Sequence, residues 1–300
     1  MSLIALLGAV ESGLIYALVA FGVYFSFRVL DFPDLTVDGS FPLGAATSAV
    51  LIVSGINPWL ATLIAFFTGS VAGIITALMN VKLGILNLLA SILTMIALYS
   101  INLRIMGKPN IALLGENTIL TPMESWSMAY YVSIPIVFSI IIFLVFCLLW
   151  AFLNSQLGLA MRATGANVRM AATQGIKTDY LIILGMAISN GLVGLAGSLF
   201  AQSQGSADIA MGVGVIVIGL ASVIGGEAII SARTILRALL ACLVGAILYR
   251  FAIALALNSD FIGLKAQDLN LITAVLVTFA IVAPRMKATF MTKFKGNNND

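Results

Sequence analysis

Apolar runs near 3–28, 40–55, 59–80, 85–105, 129–153, 179–203, 209–230, 236–257 and 268–284 dominate this chain. Roughly 20 residues of helix cross a bilayer core, and in lipid a helix satisfies every one of its own backbone groups. The expectation is an all-α polytopic membrane protein of about nine transmembrane helices, the second of them short or broken. Composition agrees, with 61% hydrophobic and 9% charged residues, against about 45–50% and about 25% in soluble domains.

The few charges orient the spans. The loop 154–178 carries Arg162, Arg169 and Lys177 among its basic residues, Arg233 and Arg237 follow the seventh run, and Arg285, Lys287, Lys293 and Lys295 close the chain. With Arg28 and Lys82 these make eleven of the fifteen basic residues. All fall on one side if the spans simply alternate. The positive-inside bias makes that side cytoplasmic, with the N-terminus outside and the C-terminus inside. The opposite connections hold Glu116, Glu124, Asp208 and Asp260. We expect one transmembrane domain, 1–284, followed by a short basic tail, 285–300.

Several chemistries are excluded. The chain has no histidine, which removes His relays, His metal sites and Ser-His triads. It has no Walker-type glycine loop and so cannot hydrolyse ATP itself. No catalytic residue, metal site, cofactor or nucleic-acid partner is expected. Cys147 and Cys242 sit in apolar runs and are expected to be buried free thiols. The start lacks a basic n-region and carries Glu11, which reads as a first helix and not a cleaved signal. Small residues share helix faces at Gly69/Gly73, at Ala187, Gly191, Gly194 and Ser198, and at Gly212, Gly219, Ser222 and Gly226. These predict close intramolecular helix packing.

Polar residues at membrane depth mark pathways or partners. Residues 31–42, DFPDLTVDGSFP, place three of twelve acidic residues between two apolar runs. Pro33, Gly39 and Pro42 predict broken helix there, tolerated only against protein or water. Asp38 or Ser40 would cap the short second helix, and an aspartate would pair with Arg28. Asp34, Asp38 and Ser40 are also candidates for a solute path, with Asn87, Ser91 and Thr94 on one face of the fourth run and Ser189 and Asn190 on the sixth. Glu227 is expected to pair with Arg233 or Arg237, and Arg104 and Arg250 to snorkel or meet a docked partner.

In the loop 154–178, Asn167 to Gln174 reads as a two-turn helix with Asn167 as N-cap and Gly175 just past its end. The stretch LGLAMRATGANVRMAATQGIKTDYL, followed by GVGVIVIGLASVIGGEAIISARTILRALL and preceded by PDLTVDGSFPLGAATSAVL, resembles the permeases of branched-chain amino-acid and ribose type ABC importers. The likeness runs in order along nearly the whole chain. LDFPDLTVDGSFPLGAA and LNLLASILTMIALYSINLRIMGKPN are most similar to the tryptophan/tyrosine, or aromatic amino-acid, branch. The resemblance implies that 154–178 is the segment coupling the permease to a cytoplasmic ATPase, with Gly165, Asn167, Arg169, Met170, Ala171, Gly175 and Ile176 at the contact. Where the family often has an acid between the Asn and the Ala, this chain has Val168 and Arg169.

The resemblance further implies a permease subunit of the bacterial inner membrane, in contact with lipid and paired with a second copy as a homodimer. Two ATPases would bind the ATP, and an extracytoplasmic binding protein would deliver a small solute, an aromatic or branched-chain amino acid. An ion-coupled amino-acid transporter is the alternative. Such carriers use broken helices, but no second break with an acid is evident in the sequence.

Overall fold

The computed structural model describes residues 3–123 and 130–257, with positions 275 and 278. Helix α1 (Leu3–Val23) widens into a π-helical turn, Tyr24–Val29. It stops at Asp31, which takes a left-handed φ of +52°. Asp tolerates that region better than most residues because its short side chain bonds locally. After residues 32–35, which take no regular structure, come α2 (Val37–Val53) and α3 (Pro58–Val81). The Asn57 side chain caps α3 by accepting from the Trp59 N–H, and Pro58 occupies the first turn, where no N–H is needed. Helix α4 (Asn87–Met106) ends on left-handed Gly107. Then follow α5 (Tyr130–Asn154), α6 (Gln156–Ala166), α7 (Val168–Thr173), α8 (Thr178–Gln204), α9 (Val215–Ile229) and α10 (Ile235–Leu257).

Among the described residues, seven helical segments are long and apolar enough to cross a membrane, and α2, at 17 residues, is the short second one. The ninth expected span, 268–284, and the tail 285–300 lie outside the described residues. Two details depart from expectation. A two-stranded ribbon, β1 (Asn110–Ala112) antiparallel to β2 (Ser206–Asp208), ties the α4–α5 and α8–α9 connections together at one end of the bundle. Pro42 and Gly39 lie inside α2 and do not precede it. The carbonyl that Pro42 cannot bond is that of Asp38, and Gly212, with no Cβ, packs directly against that oxygen.

The chain uses one design twice. Helix α1, a break, short α2 and long α3 are matched by α8, a break, short α9 and long α10. Helices α1 and α8 run antiparallel, Glu11 meeting Ser203 and Gly22 meeting Ser189. The two units therefore point in opposite directions, and they exchange partners: α2 and α3 pack on α8, while α9 and α10 pack on α1. Each break is shaped by an aspartate accepting from the N–H two residues on, Asp34 from Thr36 at 2.9 Å and Asp208 from Ala210 at 2.7 Å. A second break with its own acid thus exists, contrary to the sequence reading. Its helix is split by a 3-10 turn, Ile209–Gly212, inside one uninterrupted apolar run.

Small residues make these contacts possible. Gly44 abuts Gly194, Gly73 the Met186 carbonyl, Gly197 the Phe41 carbonyl and Gly226 the Ala241 carbonyl. All are intramolecular, as the spacing predicts. On the outward face of α3, Leu60, Leu63, Phe67, Val71, Ile75 and Leu78 form an exposed apolar stripe. Cys242 is buried, but Cys147 is exposed on α5, because that helix turns an apolar side outward.

Gly73→Val drives a side chain into backbone that cannot yield. We expect loss of a monodisperse species in size-exclusion chromatography, beyond the roughly 1–3 kcal/mol of ordinary overpacking. Gly8→Ala, with nothing near its added methyl, should raise the thermal midpoint, consistent with about 0.5–1 kcal/mol.

Candidate functional site

The starts of α2 and α9 meet inside the bundle at Asp38. Asp38 lies in the first turn of α2, yet its carboxylate accepts from the N–H groups of Ile216 at 2.8 Å and Gly214 at 3.3 Å, at the start of α9. One anion therefore serves two helix N-termini, each carrying about half a positive charge. The sequence reading placed Asp38 or Ser40 as cap of α2. In the structure Thr36 is the N-cap of α2 without a side-chain capping bond, and the acid caps the other broken helix. The local sequence could not show this, because the partner lies 178 residues away.

Asp34 is fully buried. One carboxylate oxygen accepts from the Thr36 N–H and the other from Asn190 Nδ2 at 2.7 Å, while Asn190 Oδ1 accepts from Ser40 Oγ at 2.7 Å. A buried carboxylate is costly unless hydrogen-bonded, and this chain of bonds clamps the first break to α8. The Thr36 hydroxyl meets that of Thr76 at 2.8 Å and fixes the same break to α3. Asp34, Ser40 and Asn190, three of the path candidates, thus form one closed network. Ser189 Oγ donates to the Gly22 carbonyl at the α1–α8 crossing.

The α4 candidates sit elsewhere. Asn87 accepts from Asn80 Nδ2, and Thr94 faces Met79 on α3, while Ser91 returns its hydroxyl to the Leu88 carbonyl. One turn further, α4 does meet the site. Beside Asp38 a cavity of about 490 Å³ opens between α2, α4 and residues 209–213. Tyr99, Ser100 and Asn102 line it, none of them singled out from the sequence. Asn102 at least was legible as an amide inside an apolar run. Its Nδ2 donates to the Gly39 carbonyl at 3.2 Å, and its buried Oδ1 has no partner.

Ion pairing also differs from expectation. Arg28, on the π turn, pairs with Glu227 near the end of α9. The acid pairs neither with Arg233 nor with Arg237, because α9 runs alongside α1 and brings Glu227 to Arg28. Neither does Arg28 pair with an aspartate of the first break: Asp34 is buried in the bundle and Asp31 is exposed. The Arg250 guanidinium stacks over the Tyr16 ring, 3.9 Å from its centre, while Arg104 is exposed.

At the end of the bundle carrying Arg28, α6 and α7 form a projection. The Asn167 side chain accepts from the Met170 N–H at 3.0 Å, and Gly175 follows at φ +80°, as anticipated for a short capped helix. Val168, Arg169 and Met170 are exposed, Ala171 is buried beneath them and Ile176 is half-buried. Gly165 points inward, against the carbonyl of Val29 on the π turn. Among the described residues, no group of three His, Cys, Asp or Glu side chains could hold a metal.

A family model described as branched-chain amino acid transport system / permease component matches residues 5–282. Among similar proteins is the tyrosine transport system permease protein of Clostridioides difficile, 39% identical over 91% of this chain and 88% of its own length. An uncharacterised protein of Rickettsia prowazekii is 36% identical over 92% of the chain and 96% of its own length. The ribose import permease protein of Bacillus subtilis is 27% identical over 71% and 67%. No solved structure gave a significant match.

Asn190→Leu leaves the buried Asp34 carboxylate and the Ser40 hydroxyl without their partner. It should destabilise the protein by about 2–3 kcal/mol, whereas Ser189→Ala, losing one neutral bond, should cost about 1 kcal/mol. Thermal unfolding in detergent ranks the two.

Proposed function

The chain belongs to the branched-chain amino acid transport permease family, and from that premise we propose that its solute is an amino acid with an aromatic or branched apolar side chain. It is the membrane permease subunit of an ABC importer of the bacterial inner membrane, and it is not itself an enzyme. An ATPase subunit and a substrate-binding protein are the partners of such a permease. The likeness to a tyrosine permease favours an aromatic amino acid over a sugar.

The observation that carries the coupling assignment is the α6–α7 projection. Its exposed surface, Val168 to Met170, is held rigid by the Asn167 cap and stopped by Gly175. Its base presses through Gly165 on the π turn that holds Arg28 against Glu227. In this reading the ATPase binds Asn167, Arg169, Met170, Gly175 and Ile176, with Ala171 packed beneath them, and its movement reaches α1 and α9 through Val29. π turns inside α-helices recur at functional sites. The segment 154–178 then lies in the cytoplasm with the basic residues around it, and the β1–β2 ribbon faces the binding protein outside. The N-terminus is outside and the C-terminus inside. Two copies pair around the solute path, and the apolar stripe of α3 faces lipid. The single permease domain extends over 1–284.

Replacing 165–175 by a Gly/Ser linker should abolish co-purification with the ATPase while leaving the permease in the membrane; unchanged assembly would remove the coupling role. In cells, uptake should stop on ATP depletion and survive an ionophore that leaves ATP intact. The reverse pattern points to an ion-coupled carrier.

A further inference from the structure

We propose that the cavity between α2, α4 and residues 209–213 is a transit subsite for the ammonium group of a solute whose remaining bulk is apolar or aromatic. The inference rests on the amino-acid reading above and gives it a place in the molecule. The charged group at this cavity is an acceptor with lone pairs to spare. The Asp38 carboxylate receives one N–H on each oxygen, which leaves further lone pairs. Among the described residues no lysine or arginine is ion-paired to it; its charge is balanced only by the partial charges of two helix ends. Asn102, fully buried, gives one Nδ2 hydrogen to the Gly39 carbonyl, and its Oδ1, buried just behind the lining, has no partner. Ser100 adds a hydroxyl to the lining.

An ammonium group brings what is missing: three donors, no acceptor and one full positive charge. A carboxylate or phosphate in the place of the ammonium group would meet Asp38 with no basic side chain in the lining and would be repelled, so an amino acid would turn its own carboxylate away from Asp38. A sugar would bring donors, but it would gain little from the rest of the wall, which is Met95, Ile96, Ile209 and Val213 beside Tyr99. A volume of about 490 Å³ holds an aromatic amine with room to leave. The one acid of such a site need only steady the solute between the two broken helices, because tight binding would slow its release.

The experiment uses the full-length permease in lipid nanodiscs and saturation-transfer NMR. One probe is tyramine, an aromatic amine without a carboxylate; the other is 3-(4-hydroxyphenyl)propionate, with the same ring and no amine. Tyramine should bind weakly and saturably and the propionate should not. Asp38→Asn, which keeps an oxygen for the Ile216 N–H, should weaken tyramine about tenfold through loss of the charge-assisted bond. Ser100→Asp, at an exposed position of the lining, should strengthen it severalfold and keeps the test decisive if Asp38→Asn fails to fold. Tyramine binding indifferent to both changes, or equal binding of the propionate, overturns the subsite. ATP-driven uptake of L-tyrosine by the reconstituted importer is read separately. Uptake without a tyramine site overturns the subsite alone. A tyramine site that responds to both variants, without amino-acid uptake, supports the subsite and overturns the amino-acid reading.

Discussion

Two helices that begin inside a membrane protein, pointing in opposite directions, bring two positive dipole ends into one place. The Asp38 carboxylate makes that arrangement tenable. Its hydrogen bonds to the start of α9 are charge-assisted and worth roughly 1.5–3 kcal/mol each. Its position in the first turn of α2 sets the same negative charge at the start of the other helix. Without an anion here, the N–H groups at the start of α9 would be unpaired in the bundle interior, and the two halves of the chain would lose the contact that joins their breaks.

The rest of the interior is arranged around this point. Asp34, Asn190 and Ser40 tie the first break to α8, and Asp208 with the β1–β2 ribbon orders the second. Tyr16, Phe41 and Phe200 cluster beside the junction, with ring centres 5.6–5.9 Å apart, Tyr16 stacked on Phe41 and Phe200 edge-on or tilted to both. Glycines bring the supporting helices into backbone contact. Helix α9 then runs to Glu227, where the ion pair with Arg28 returns it to the π turn, against which Gly165 of the α6–α7 projection rests. A continuous line of packed groups therefore joins the exposed α7 surface to the junction at Asp38. In the proposed function, such a line would carry work done by the ATPase at one end to the solute path.

Much of this was legible in the sequence. Apolar run length located the spans, the glycine and serine spacings identified packed faces, and the Asn167–Gly175 signals defined α7, because each is a local property. Asp31, Asp34 and Asp38 marked a break for the same reason. What was not legible is pairing at a distance. Nothing local says that Asp38 caps α9, that Arg28 takes Glu227 from the basic residues nearer to it in sequence, or that Asn102 is drawn to the Gly39 carbonyl. The second break was hidden because residues 209–230 read as one apolar run; only Asp208 and Gly212 signalled a turn, and both occur commonly in helix connections. Asn87, Ser91 and Thr94 share a face as their spacing says, but that face meets α3, while the next turn of α4 lines the cavity.

The most direct measurement of the account is hydrogen exchange at the start of α9, followed by mass spectrometry of peptides covering residues 209–217 in nanodiscs. In the wild-type protein the Gly214 and Ile216 amides should be strongly protected. In Asp38→Leu that protection should fall by orders of magnitude, while peptides from the middle of α8 stay unchanged. Equal protection of residues 209–217 in both proteins would contradict the central claim that one carboxylate holds the two broken helices together.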